Sequence, residues 1–213
     1  MTSIAIIDYG AGNLLSIARA VTIGGGTPII VHQPEELLGS AGIILPGVGA
    51  GGAAMQLLNE SGMAEALRQQ VALGRPTLGV CLGMQLFCDW LAEDDCPGLG
   101  FITGTAAELP SAPAVKIPHM GWNRVKWDET ASQMPLLATL ESGLYAYFVH
   151  SYYCDTNDSA ITSAWTEHGQ RFRAAFMKDN LWGVQFHPEK SGTAGLQMVR
   201  NFVDAARKHE EER

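Results

Sequence analysis

The sequence predicts an α/β fold, with a mainly parallel sheet flanked by helices and additional antiparallel strands in its second half. Three observations carry this. Short apolar runs alternate with helical stretches through the first hundred residues, the pattern of strands joined by right-handed helical crossovers. Those runs are continuously apolar, so their strands are buried on both faces. Past residue 100, Pro and Gly become frequent and strands follow one another with little helix between them. The chain has 213 residues, 46% of them hydrophobic and 17% charged. That composition excludes intrinsic disorder and suits one domain spanning 1–213.

The elements follow in order. Ile4 to Asp8 reads as a buried strand, Gly10-Ala11-Gly12 as a turn, and a helix begins at Asn13 and ends at Gly24-Gly25-Gly26. Thr27 to Val31 is the second strand, Pro34 to Leu38 a short helix, and Gly42 to Leu45 a third strand closed by Pro46-Gly47. Helical spacing covers Ala53 to Leu58 and Ala64 to Leu73; a strand at Thr77 to Val80 then runs into a helix from Leu82 to Leu91. Later strands are expected at Val115 to Lys116, Arg124 to Trp127, Leu144 to Cys154, Ala160 to Trp165, Phe172 to Met177 and Trp182 to Phe186. Lys178-Asp179-Asn180 is a hairpin turn between the last two. A closing helix spans Thr193 to Lys208, and Glu210 to Arg213 is a charged, frayed tail. Between Tyr145 and Tyr153 two faces alternate; one is core and the other lines a pocket or an interface, and alternation alone does not say which.

Charge and cysteine usage narrow the function. With 22 acidic against 14 basic residues the net charge is −8, which opposes a nucleic-acid surface. No apolar run approaches the roughly 20 residues of a membrane span. The first ten residues lack a basic, cleavable leader, so a cytoplasmic location is expected. Cys81, Cys88, Cys96 and Cys154 form neither a CxxC nor a metal spacing, so they read as reduced thiols, with no metal or cofactor implied.

The strongest chemical signal is Gly79-Val80-Cys81-Leu82-Gly83, where a strand meets a helix. It has the G-x-S-x-G form of a nucleophile elbow with Cys for Ser. Glycines on either side allow the sharp turn its close backbone approaches. A helix N-terminus favours thiolate, and the Leu82 amide points where an oxyanion would form. The competing reading is a structural cysteine among packing glycines. A cysteine nucleophile needs a base and an orienter, and His187-Pro188-Glu189 offers both. Pro188 drives His187 out of the α region; in an extended chain His187 and Glu189 face the same side. Pro46-Gly47-Val48-Gly49, at a strand's C-terminal end, can complete an oxyanion hole or cradle a phosphate, but it lacks the P-loop Lys and Ser/Thr. Gly10-Ala11-Gly12 lacks the third glycine of a dinucleotide fingerprint and reads as a tight turn before a helix. His32 and His209 in polar stretches, and His168 in a turn, are expected to be solvated.

Gly79 through Gln85, followed 106 residues later by His187-Pro188-Glu189, resembles the class I glutamine amidotransferases. Further segments resemble one branch, the glutaminase subunits of imidazole glycerol phosphate synthases in histidine biosynthesis: Asp8 to Leu14, Leu45 to Gly49, Pro118 to Asn123, Phe148 to Tyr152 and Gln185 to Ser191. The resemblance implies a flavodoxin-like sheet carrying a Cys-His-Glu triad: Cys81 as nucleophile, His187 as general base and acid, Glu189 as its orienter. It makes Gly49 and Leu82 oxyanion donors, and Gln85, Ser151 and Tyr152 contacts to glutamine. It places Asn13, Met120, Trp122, Tyr147 and Lys190 at or near a (βα)8-barrel cyclase partner, in a one-to-one heterodimer with hydrolase and lyase steps. A glutaminase core of this kind occupies essentially the whole length, so the ammonia acceptor is expected on that separate chain. The lone subunit is expected to be nearly inactive until the partner reorients the Pro46–Gly49 amides. One departure stands out: Gly51 occupies a position where the family commonly has Phe, which predicts a less anchored loop.

Three other readings compete. The same triad feeds purine, pyrimidine, anthranilate and pyridoxal phosphate synthesis, but the segments at His119–Asn123 and His187–Ser191 favour the histidine branch. A non-catalytic regulatory module is opposed by the intact Cys81, His187 and Glu189. A cysteine peptidase more usually has Asp or Asn as orienter.

Overall fold

The computed structural model describes residues 2–212 apart from 11, 112 and 114. The chain runs β1 (Ser3–Ile7), α1 (Leu14–Ile23), β2 (Thr27–Val31), β3 (Gly42–Leu45), α2 (Gly51–Glu60), α3 (Met63–Ala72), β4 (Thr77–Val80) and the one-turn α4 (Leu82–Gln85). There follow β5 (Cys88–Leu91), β6 (Cys96–Pro97), β7 (Ile102–Glu108), β8 (His119–Val125), β9 (Leu144–His150), β10 (Tyr152–Asp155), β11 (Thr162–His168), β12 (Gln170–Lys178), β13 (Leu181–Val184) and α5 (Gly192–Glu211).

The main sheet has the order β11-β12-β13-β4-β3-β1-β2. Its five strands from β13 to β2 are parallel, and β12 and β11 extend it antiparallel. The parallel order is that of a flavodoxin-like doubly wound sheet. Continuous apolarity has the consequence expected of it: alternate side chains of β1 go to opposite layers. Ile4 and Ile6 pack with Ile17 and Val21 of α1 and with Met198, Val199 and Phe202 of α5. Ala5 and Ile7 pack with Met55 and Leu58 of α2 and with Leu67 of α3. Each such buried Ile or Leu contributes roughly 2 kcal/mol of transfer free energy, holding the strand ends in fixed register.

The second half departs from expectation in several places. The helix expected over Leu82–Leu91 ends at Gln85, and Cys88–Leu91 is a strand. The amides of Leu99, Phe101 and Gly100 take the carbonyls of Leu86, Phe87 and Cys88, which a longer helix would have used itself. Cys88 is buried as expected, but on a strand. Ile102–Glu108 is a strand that its small and polar residues did not announce; it pairs with β10 on one side and β5 on the other. The expected strand over Leu144–Cys154 breaks at Ser151, where the chain passes from the β8–β9 ribbon to the sheet containing β7. Val115–Lys116 forms no strand of its own, only a bridge at Val115. The C-terminal tail is helical through Glu211. The Gly10–Gly12 turn includes Ala11, which lies outside the described residues. The hairpin at Asp179–Asn180 is present, with Asp179 at φ 51°.

Candidate active site

The C-terminal ends of β3 and β4 meet at one cavity, as ligand sites do in open α/β sheets, and β13 runs parallel beside β4. Cys81 follows β4 directly with φ 55° and ψ −111°, a strained conformation for a side-chain-bearing residue. It is held there by its amide, which donates to the Val184 carbonyl at 2.8 Å. The flanking glycines are sterically required. A Cβ on Gly83 would collide with the Leu45 carbonyl oxygen, and one on Gly79 would lie 2.6 Å from Phe87 and 2.7 Å from the Gly83 carbonyl. The elbow therefore exists because these two positions lack side chains.

His187 follows β13 in an extended conformation, φ −99° and ψ 98°, as Pro188 requires. Its amide donates to the Tyr147 carbonyl at 2.9 Å, and its carbonyl accepts the Ser191 hydroxyl at 2.6 Å. Ser191 Oγ in turn accepts the Tyr147 amide at 3.0 Å, so β9 holds the imidazole's backbone on both sides. His187 Nδ1 donates to Glu189 Oε1 at 2.9 Å. The pairing stands, but by a different route from the extended chain expected: Pro188–Lys190 is a 3-10 turn that folds Glu189 back onto the ring. Both side chains are almost fully buried. Burial pushes the His187 pKa down, but interactions with Cys81 and Glu189 outweigh it and raise it to about 9. Nε2 meets no partner with full hydrogen-bond geometry, the usual looseness of an apo thiol–imidazole pair. Because the folded chain holds this proton more tightly than the unfolded one, the associated stability is complete below about 6.5 and is lost as pH rises through about 9.

The cavity measures about 270 Å³ and is lined by Val48, Gly49, Cys81, Leu82, Gln85, Glu93, Val149, His150, Ser151 and Tyr152. Gly47 lies behind it, its backbone against the Tyr9 hydroxyl and Leu82. Gly49 has φ 96°. Among the described residues no hydrogen bond is donated by the Val48 or Gly49 amides. Val149 and His150 fall on opposite faces of β9, and the strip of Ala146, Phe148 and His150 is the buried one. The expected looseness after Gly49 is not found. The Gly51 amide donates to Glu93 at 3.2 Å and that of Gly52 to Asp94 at 2.7 Å, and a Cβ on Gly51 would lie 2.9 Å from a terminal methyl of Leu91.

Sequence reasoning missed two side chains. Glu93 supplies the cavity's one carboxylate, and it lay inside the expected helix-to-loop region without a motif. Gln185, fully buried, directs Nε2 to the Cys81 sulfur at 3.8 Å and accepts from Gln85 Nε2 at 3.1 Å. A lone amide in the apolar run Trp182–Phe186 was the signal that could have found it. His168 is half-buried at the end of β11, its ring stacked 4.1 Å from that of His119 rather than solvated. His209 is half-buried on α5, its Nε2 enclosed without a partner, while His32 is exposed as expected.

Outside the cavity, Met120 and Trp122 are exposed on β8, and Trp122 packs edge-on against Tyr147 of β9 at 6.1 Å. Asn13 stands at the N-cap position of α1 without a side-chain capping hydrogen bond and Lys190 ends the Pro188–Lys190 turn, both exposed. All four cysteines are free. No helix among the described residues is long and apolar enough to cross a membrane, and no group of three His, Cys, Asp or Glu side chains there is arranged to hold a metal.

A strained cysteine at a strand–helix elbow, faced by a carboxylate-oriented histidine, defines a cysteine-nucleophile acyl-transfer site. Residues 5–206 match the family described as glutamine amidotransferase class-I, and the chain belongs to that family. It is 42% identical over 205 residues to the imidazole glycerol phosphate synthase subunit HisH of Gloeobacter violaceus, covering 96% of this chain and 90% of that one. The HisH subunit of Gloeothece citriformis is 41% identical over 208 residues, 97% of this chain and 98% of its own. Among solved structures, PurLQS from Thermotoga maritima superposes with a TM-score of 0.74 at 18% identity, covering 96% of this chain and 98% of the other, a likeness of fold.

Proposed function

We propose that this chain is the glutaminase subunit of an imidazole glycerol phosphate synthase, working in the cytoplasm as one domain with a separate (βα)8-barrel cyclase in a 1:1 complex. The observation that carries the reading is Cys81 on the wall of an amino-acid-sized cavity, interacting with a buried His187 that is hydrogen-bonded to Glu189, in a chain about 42% identical to HisH subunits.

The thiolate of Cys81 attacks the glutamine side-chain amide carbon. The oxyanion is received by backbone amides of Leu82 and of the Val48–Gly49 turn. His187, protonated and steadied by Glu189, gives its proton to the leaving nitrogen; ammonia departs and a thioester remains. His187 then takes a proton from water, hydroxide adds to the thioester, and glutamate leaves with the thiolate restored. Glu93 counters the α-ammonium of the substrate, while Gln85, Ser151 and Tyr152 form the opposite wall. Free ammonia would become ammonium in water, so it passes directly across the face formed by Asn13, Met120, Trp122, Tyr147 and Lys190. There the cyclase uses it on a phosphoribulosyl formimino carboxamide nucleotide, giving imidazole glycerol phosphate and the aminoimidazole carboxamide ribonucleotide.

The test is glutamate release from glutamine with and without a cyclase subunit. The expected result is low release alone and strong stimulation by the cyclase. Equal rates in both conditions would sink the partner-dependent part of the reading, and no release in either would sink the whole.

A further inference from the structure

A run of buried polar groups leads away from Cys81, and its hydrogen bonds have a single consistent polarity. The Tyr152 carbonyl can only accept, so His150 Nδ1, 2.8 Å away, carries a hydrogen. A neutral His150 then has a lone pair on Nε2, and His119 Nδ1 at 3.0 Å must be its donor. That leaves His119 Nε2 to accept from Asn123 Nδ2 at 3.2 Å. The far end fixes the same polarity independently: Asn123 Oδ1 accepts the Arg124 amide at 2.8 Å, and its Nδ2 also donates to the Glu167 carbonyl at 2.8 Å. In the other direction Gln85 Nε2 donates both to the Tyr152 carbonyl at 2.8 Å and to Gln185 Oε1 at 3.1 Å. This turns the Gln185 amide so that its Nε2 faces the Cys81 sulfur. Two ends assigned separately agree in the middle, with no donor facing a donor.

We propose that His119, His150 and Gln185 are positioning residues: one buried hydrogen-bond chain ties the outward-facing β8–β9 ribbon to the Cys81 sulfur and sets the Ser151–Tyr152 wall of the cavity. The inference rests on the reading of Cys81 as the nucleophile of a glutaminase. The geometry makes the coupling specific. His119 sits on β8 between Pro118 and exposed Met120, and directly across from His150 in the ribbon register. A shift of the ribbon therefore pulls on the wall, and through Gln85 on the amide that faces the thiolate. Gln185 places an N–H on the sulfur, which the one-turn α4 does not, Cys81 making no side-chain capping hydrogen bond. Both histidines must stay neutral for the chain to hold. Burial lowers the His150 pKa to about 3 and that of His119 to about 4, consistent with this.

The test compares the full chain with its cyclase present, as parent, His119→Phe and His119→Asn. Phe keeps a ring for stacking on Phe148 and His168 but removes the donor; Asn returns an N–H at the position of Nδ1. His119→Phe is expected to raise KM for glutamine about 10-fold with kcat changed less than about 3-fold, and His119→Asn to recover most of that loss. Parental KM in His119→Phe, or Asn as impaired as Phe, would overturn the chain. Should His119→Phe not fold, nitrogen-15 signals of the parent decide: both rings neutral at pH 7 with hydrogen on Nδ1 support it. Hydrogen on Nε2 of either ring, or titration of either near the ordinary 6.5, overturns it. If the parent releases no glutamate, or Cys81→Ala releases it at the parental rate, the functional reading fails instead, and the ring signals still judge the chain.

Discussion

The two halves of the molecule are built by different physics. In β1, β3 and β4 nearly every residue is buried, only the edge strand β2 leaving Thr27 and Ile29 exposed, and each connection closes locally around a helical segment, so register and depth are set by the strand's own residues. From β5 to β13 several strands are more polar, and some pair with partners distant in sequence, as β10 does with β7 and β13 with β4. Cys81 sits on the first kind of structure, and His187, Glu189 and the Val149–Tyr152 cavity wall on the second. An elbow fixed by local close approaches is thus faced by groups whose position depends on long-range pairing.

The sharpest way to break this comparison is to remove the group on the rigid side. Cys81→Ala is expected to lower glutamate release by ~10³-fold or more while keeping the parental thermal midpoint. Retained activity would show that the elbow is only architecture. Gly83→Ala attacks the elbow's geometry: its Cβ collides with the Leu45 carbonyl, so a stability loss of about 3 kcal/mol is expected in urea unfolding. An unchanged denaturation midpoint would mean the strand–turn–helix approach is looser than drawn.

On the other side, Glu189→Gln keeps the turn but removes the charge that helps lift His187. A fall of about 10²-fold in kcat is expected, with the alkaline limb of kcat/KM moving from near pH 9 toward lower pH. A limb that stays in place would remove Glu189 from the site. The smallest effect on the fold belongs to Trp122→Ala, on the exposed ribbon face. Stability should change by less than about 0.5 kcal/mol, while affinity for the cyclase drops about 10-fold in a titration of the two subunits. Unaltered affinity would place docking elsewhere.

Legibility in the sequence divides along the same line. Gly42–Leu45 and Thr77–Val80 were readable to the residue because burial on both faces leaves an apolar signature, and Thr27–Val31, with Thr27 and Ile29 exposed, was readable because its β-branched run follows a glycine turn. Ile102–Glu108 was not, since Thr, Gly, Ala and Glu carry no such signature and the strand exists through its neighbours. The false helical continuation past Gln85 has the same cause: apolar spacing over Leu82–Leu91 fits a helix until the amides of residues 99–102 claim its carbonyls. Cys81, His187 and Glu189 were legible because the elbow glycines and the His-Pro-Glu turn are local devices. Glu93, Gln185 and the His119–His150 contact were not, because each is brought to the cavity by pairing that no local pattern records.

The most direct test is to incubate the chain and its cyclase partner with an electrophilic glutamine analogue and map the adduct by peptide mass spectrometry. The expected result is a single adduct on Cys81, protected by glutamine and strongly slowed in His187→Ala. An adduct on Cys88, Cys96 or Cys154 instead, or full glutamate release from protein whose Cys81 is blocked, would contradict the assignment of the nucleophile.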